Sequence, residues 1–340
     1  MSRQLNIAIV GATGAVGETF LTVLEERKFP IKTLYPLASS RSVGKTVTFK
    51  NQQLDVLDLA EFDFSKADIA LFSAGGSVSK DYAPKAVAAG CIVVDNTSCF
   101  RYEDDIPLVV PEVNAHRIAD YKKRGIIANP NCSTIQMVVA LKPLYDAAGI
   151  TRINVATYQS VSGTGKKAIS ELVAQVSELL NGRPAKSTVY PEQIAFNALP
   201  HIDQFEDNGY TREEMKMVWE TRKILEDEHI MVNPTAVRVP VLYGHSEAVH
   251  VELKKPLTAD EARSLLAKAP GIKVVDNTAK ASYPTVIKNA VGHDEVFVGR
   301  IRQDISHPCG LNLWVVADNI RKGAATNAVQ IAEILQREYL

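Results

Sequence analysis

Cys132 stands at the end of the stretch Ile126-Ile127-Ala128-Asn129-Pro130-Asn131 and at the start of a helical pattern, Ile135, Val138, Val139 and Leu141. An apolar run, an Asn-Pro-Asn turn and a helical period read as strand, tight turn and helix, with the thiol in the first helical turn. Unpaired N–H groups and the positive end of the helix dipole lie there, and both favour thiolate, the nucleophilic form. The same residue also reads as a small buried hydrophobe, as most free cysteines are. A reactive thiol needs a proton-transfer partner. Among the seven histidines, His245 stands out because Tyr243-Gly244-His245-Ser246-Glu247 reads as a loop between two strands, and loops on rigid supports often carry chemistry. His250 lies within a strand pattern and His201 follows a proline, so both read as structural.

A second group of residues points to a nucleotide. Residues 5–10 read as a buried strand, followed by Gly11-Ala12-Thr13-Gly14-Ala15-Val16-Gly17 and a helix through Phe20, Leu21, Val23 and Leu24. Strand, glycine turn and helix form the setting in which a helix N-terminus receives a pyrophosphate. Gly11 permits the tight turn, Gly14 the close approach of phosphate and Gly17 the packing of helix on strand. The spacing is G-x-x-G-x-x-G rather than the commoner G-x-G-x-x-G. A strand at about 33–38 then ends in Ser39-Ser40-Arg41-Ser42, where NAD-binding folds carry an acidic residue for the ribose hydroxyls. Hydroxyls and an arginine suit a 2′-phosphate, so NADP is expected. A solvated polar loop fits the same residue types.

The elements that must position these groups fall into two textures. In the first part, strands at 67–73 and 91–95 each end in small polar or glycine-rich loops, as a doubly wound parallel sheet requires at its ligand-binding edge. Arg101 follows the second of these, where it suits an anion or a plain surface charge. After Cys132 the pattern changes. Residues 153–161 alternate as a half-exposed strand, Ser162-Gly163-Thr164-Gly165 turns the chain, and a helix runs over Lys166–Leu180. Strands at 236–242, 248–253, 295–301 and 310–316, with few helices between them, predict a mainly antiparallel sheet. An amphipathic helix at about 323–339 closes the chain. The expected class is α/β: a Rossmann-type NADP-binding domain and an α+β catalytic domain.

The totals exclude several function classes. The chain has 340 residues, 46% of them apolar and 23% charged, with net charge −1. Two domains with full cores are expected. No basic or acidic block points to nucleic acid or a membrane surface. No apolar run reaches transmembrane length, and Met1-Ser2-Arg3-Gln4-Leu5 leads into a strand rather than a signal peptide. Four cysteines are too sparse for a disulfide scaffold, and no Cys-x-x-Cys pair suggests zinc. No metal is expected, and the cytoplasm is the expected compartment.

Taken together, these blocks resemble the aspartate-semialdehyde dehydrogenases over essentially the whole chain. The resemblance rests on the glycine motif 11–17, Asn96-Thr97-Ser98 with Arg101, and Asn129-Pro130-Asn131-Cys132-Ser133-Thr134. It continues in Gln159 with Ser162-Gly163-Thr164-Gly165, Glu213-Glu214-Met215-Lys216, Arg238-Val239-Pro240-Val241 with Gly244-His245, and Asp318-Asn319 with Arg321-Lys322-Gly323-Ala324-Ala325. It implies reversible, NADP-dependent conversion of aspartyl 4-phosphate to aspartate 4-semialdehyde with release of phosphate. That step leads toward lysine, diaminopimelate, methionine, threonine and isoleucine.

By resemblance, Cys132 forms a thioester, His245 serves as general acid/base, and Gln159 orients the acyl group. Arg238 takes the α-carboxylate, Glu213 the α-ammonium, and Arg101 and Lys216 the phosphate. Gly11, Thr13, Gly14, Ala15, Val16, Arg41, Ser42, Ser162, Gly163 and Asn319 contact NADP. The resemblance further implies a homodimer built by the second domain, with domains at 1–131 plus 320–340 and at 132–319. Rival readings are an N-acetyl-glutamyl-phosphate reductase, which has no free ammonium for Glu213 to bind, and a non-catalytic NADP-binding paralogue.

Overall fold

The computed structural model describes residues 3–340. Met1 and Ser2, the start of the lead into the first strand, lie outside the described residues. The chain divides into two compact units, one running to Asn131 and taking in Ala324–Leu340, the other Cys132–Gly323.

The first unit holds a six-stranded sheet in which every pairing is parallel. Its order is Leu57–Asp58, Ile31–Ala38, Leu5–Val10, Ile69–Phe72, Ile92–Asp95 and Ile126–Ala128. The strand Leu5–Val10 is central, with Ile31–Ala38 on one side and Ile69–Phe72 on the other. The direction of winding therefore reverses beside it, and the crevice at the carboxyl ends of such strands is where open α/β sheets bind ligands. Leu5–Val10, Ile69–Phe72 and Ile92–Asp95 are buried on both faces, which is why they read as continuous apolar runs. The helices Ala15–Glu26 and Thr326–Glu338 share one apolar core with the sheet, through Phe20, Leu24, Val329 and Leu335. Arg27 clamps them with two hydrogen bonds to the Glu333 carboxylate. A short antiparallel hairpin, Thr46–Phe49 with Gln52–Asp55, went unseen in the sequence.

The second unit is built on another six-stranded sheet. Its order is Met231–Arg238, Ile150–Gln159, His245–Leu253, Gly310–Ala317, Val296–Gln303 and Ile272–Val274. The three central pairings are antiparallel and both edge pairings are parallel. Two sequence expectations need correction. The strand placed at 236–242 is Met231–Arg238 and ends where that reading had it barely begun. His245 lies not in a loop but on the first residue of a strand. The helix Cys132–Ala148 lies against the sheet, and every residue from Ser133 to Leu141 is buried, which explains its weak amphipathic signal. On the opposite face of the sheet, Asn154, Ala156, Tyr158, Asn233, Thr235, Ala248 and His250 are only partly covered or exposed.

Candidate active site

In the first unit, the glycine turn is shaped for close approach. Gly11 has φ +94°, and a Cβ there would stand 3.1 Å from the Ala74 nitrogen at the end of the neighbouring strand. A Cβ on Gly17 would fall 2.1 Å from the Gly11 carbonyl oxygen, so only glycine lets the helix start this close to the strand. Gly14 caps the helix Ala15–Glu26 without a side chain, leaving the first-turn N–H groups to an incoming anion. Thr13, Ala15 and Val16 are each half-buried in this turn. The turn Ser40–Ser42 follows the second strand; Arg41 is exposed and no acidic residue stands at that strand's end. The cradle fits a dinucleotide pyrophosphate, and the arginine fits a further phosphate.

Arg101 is also in this unit and is buried. Its Nη2 donates to the Asn96 carbonyl at 2.8 Å.

In the second unit, Cys132 is the first residue of its helix and half-buried. A Cβ on Gly323 would lie 2.7 Å from the Cys132 Cβ, so the backbone at 323 must be glycine for the thiol to sit where it does.

His245 is fully buried. Its Nδ1 accepts the Ser160 backbone N–H at 3.1 Å and lies 3.2 Å from the Ser160 hydroxyl. A backbone N–H can only donate, so Nδ1 carries no proton and the neutral ring is the Nε2–H tautomer. Nε2 is buried and has no hydrogen-bond partner among the described residues. Burial first, and the nearby Arg238 guanidinium second, push the imidazole down to about 3, although Glu213 pulls the other way. The ring is therefore neutral, with one N–H to give.

Arg238 ends its strand, nearly buried, and its Nη1 donates to the Ser160 carbonyl at 2.7 Å. Its Nε has no hydrogen-bond partner among the described residues. A Cβ on Gly163 would stand 3.1 Å from Arg238 Nη1 and 3.7 Å from His245 Nε2. The glycine thus keeps open the space onto which histidine and arginine both face.

Gln159 ends the adjacent strand. Its Nε2 donates to Glu213 Oε1 at 3.1 Å, and Lys216 Nζ donates to Glu213 Oε2 at 3.1 Å and Asp203 Oδ2 at 2.8 Å. Burial works against the Lys216 charge, yet Glu213 and Asp203 together hold the ammonium above its ordinary range. Glu213 and Lys216 thus form the i,i+3 pair their spacing allows, but a nearly buried one joined to Gln159.

Asn319 and Ser162 act within this unit as a brace. Asn319 Oδ1 accepts from the Gly244 N–H at 2.9 Å, Ser160 Oγ at 3.2 Å and Ser162 Oγ at 3.1 Å. The turn before His245 is thereby tied to the Ser160–Ser162 segment. Sequence reading missed Ser160, which binds both His245 and Arg238 through its backbone, and Asp203; Ser160's position between Gln159 and the Ser162-Gly163-Thr164-Gly165 turn was the only available hint. Among the described residues, no group of three or more His, Cys, Asp or Glu side chains could hold a metal, and no helix is long and apolar enough to cross a membrane.

Two family models match the chain. "Semialdehyde dehydrogenase, NAD binding domain" covers residues 6–121, and "Semialdehyde dehydrogenase, dimerisation domain" covers 141–322. The chain is 87% identical over 340 residues to the aspartate-semialdehyde dehydrogenase of Legionella pneumophila, covering 100% of this chain and 98% of the relative. It superposes with TM-score 0.98 on aspartate semialdehyde dehydrogenase II of Vibrio cholerae complexed with ASA, at 61% identity over 100% of both chains. A more distant match is the Candida albicans enzyme with NADP, at TM-score 0.77 and 27% identity over 98% of this chain and 99% of that one. The chain belongs to the aspartate-semialdehyde dehydrogenase family.

Proposed function

We propose that the chain interconverts L-aspartyl 4-phosphate and L-aspartate 4-semialdehyde, with NADP(H) and inorganic phosphate, in amino-acid biosynthesis. The observation that carries this reading is the convergence of His245 Nε2–H and Arg238 Nη1 on the space that Gly163 leaves open. That space combines a neutral proton donor with a cation suited to a carboxylate.

The Cys132 thiolate, favoured by its place at the helix start, attacks the acyl phosphate carbon. The C–O bond to phosphate breaks, phosphate leaves, and a thioester remains on sulfur. Bound NADPH supplies the hydride that reduces this acyl group. His245 acts as general acid through Nε2–H, hydrogen-bonding to the oxygen that becomes anionic, and when the adduct collapses the C–S bond breaks to give the aldehyde and the Cys132 thiolate. Arg238 holds the α-carboxylate, Glu213 the α-ammonium, and Gln159, braced on Glu213, orients the acyl group. Arg101 and Lys216 hold phosphate. Gly11 and the residues Thr13 to Val16, with Arg41 and Ser42, hold NADP, to which Ser162 and Gly163 also contribute; Asn319 serves by bracing them.

The neutral, fixed tautomer suits one task better than another. A ring whose Nδ1 is already engaged and whose Nε2 bears the proton is prepared to stabilise an oxyanion rather than to deprotonate the thiol. We further propose a homodimer formed through the half-open face of the second sheet, which lies in the segment matched by the dimerisation-domain model. Four free cysteines fit a reducing compartment such as the cytoplasm.

The test is NADPH formation from aspartate semialdehyde, NADP and phosphate, run beside Cys132→Ser. Phosphate-dependent turnover that disappears in the variant is the expected result. Turnover with N-acetylglutamate semialdehyde instead would transfer the mechanism to the rival substrate. NADP binding without turnover of either aldehyde would leave a binding protein.

A further inference from the structure

Asn129 lies three residues before Cys132 and is nearly fully buried. Both polar atoms of its side chain are hydrogen-bonded inside the first unit. Nδ2 donates to Asn96 Oδ1 at 2.8 Å and to the Ala324 carbonyl at 3.5 Å, and Oδ1 accepts from Asn327 Nδ2 at 2.7 Å. Its backbone N–H donates to the Asp95 carbonyl at 2.8 Å. Asn327, also fully buried, donates in addition to the Val109 carbonyl at 2.9 Å.

Asn96 is the link to the anion site. Its carbonyl receives Arg101 Nη2, while its Nδ2 and backbone N–H both donate to the Phe72 carbonyl, at 3.2 and 2.9 Å. Those donations turn Oδ1 toward Asn129. One amide therefore joins the loop that holds Arg101, the strand end leading to Cys132, and the start of the last helix. A buried amide costs stability unless every group is satisfied, and a satisfied network admits one arrangement. Packing alone would have been served by an apolar side chain.

We propose that Asn129 is a positioning residue for phosphate: by holding Asn96, it fixes the carbonyl that aims the Arg101 guanidinium. The inference rests on the reading of Arg101 as a phosphate ligand, and the experiment separates the two. Asn129→Asp keeps the size and the Asn327 bond. It replaces the donor with an acceptor facing the Asn96 and Ala324 oxygens.

Initial rates of aldehyde oxidation by the full chain, with inorganic phosphate varied, should show a phosphate KM raised about tenfold, with the NADP KM within about twofold of the parent. Asn327→Leu, which removes one arm of the network, should give a smaller rise of the same kind and serves if the first variant does not fold. In an Arg101→Ala background, either substitution should leave the phosphate KM where Arg101→Ala put it, because the effect passes through Arg101. Additive losses in that background overturn the proposal. So does a parallel rise in both KM values with a lowered Tm, which marks general loosening. If Arg101→Ala raises the phosphate KM but neither asparagine variant does, the inference about Asn129 fails alone. If Arg101→Ala has no effect, the reading of Arg101 fails and takes the inference with it.

Discussion

The backbone N–H of Ser160 donates to Nδ1 of His245 at 3.1 Å, and this contact decides which nitrogen holds the proton. A side-chain partner could rotate to suit either tautomer. A backbone N–H in a braced segment cannot, so the ring presents Nε2–H to the site.

His245 should leave a signature in stability against pH. Its folded-state value of about 3 lies below the ordinary 6.5. Between those values the unfolded chain binds a proton that the native site refuses, so stability is full above 6.5 and falls as pH drops toward 3. Over about pH 8 to 5, His245→Asn should lose less Tm than the parent. Equal losses would show that the ring is not held neutral.

Glu247 should show the opposite slope. It lies two residues along the same strand, fully buried, and neither carboxyl oxygen has a partner of good geometry among the described residues. Burial raises its pKa well above 4.5, and Gln136 offsets this only in part. The unfolded chain ionises above 4.5 while the native acid stays protonated, so this contribution falls as pH rises. Glu247→Gln should match the parent near pH 4.5 and exceed it by about 2–4 °C near pH 8. A gain that is the same at both pH values would point to packing rather than charge.

Gly163→Ala tests the shared space. Its methyl would meet Arg238 Nη1 at 3.1 Å, and the guanidinium must shift. A displacement of a few tenths of an ångström should lower kcat/KM by about tenfold at nearly unchanged Tm. Wild-type kinetics would mean that the substrate does not use this space.

Glu213→Gln tests the substrate's free ammonium. The variant keeps the shape but loses the charge next to Gln159 and Lys216. The KM for aspartate semialdehyde should rise about tenfold, and discrimination against the N-acetylated analogue should narrow. An unaltered preference would remove Glu213 from substrate recognition.

Arg41→Ala tests cofactor choice. The side chain is exposed beside the end of the second strand, and its loss should raise the NADP KM about tenfold while leaving the NAD KM unchanged. Equal changes for both cofactors would place the 2′-phosphate elsewhere.

What the sequence determined by itself was local. The strand Leu5–Val10, the glycine turn after it, the helix Lys166–Leu180 and the start of a helix at Cys132 all follow from apolar period and turn chemistry within a few residues. The roles proposed for Arg101, Glu213, Lys216 and Arg238 rest on the family resemblance, because local pattern alone reads such charges as surface groups. The tertiary structure decided what depends on partners distant in the chain. His245 looked like a loop residue because Gly244 breaks the pattern before it, yet pairing with Ala317 makes it the first residue of a strand. The edge strand Met231–Arg238 was misplaced because its extent is set by its parallel pairing with Ile150–Gln159. Ser160 and Asn129 left almost no trace, since one acts through backbone atoms and the other through amides up to 198 positions away. Periodicity reports which face of an element is buried; it carries no information about which N–H will meet which ring nitrogen once the sheet has closed.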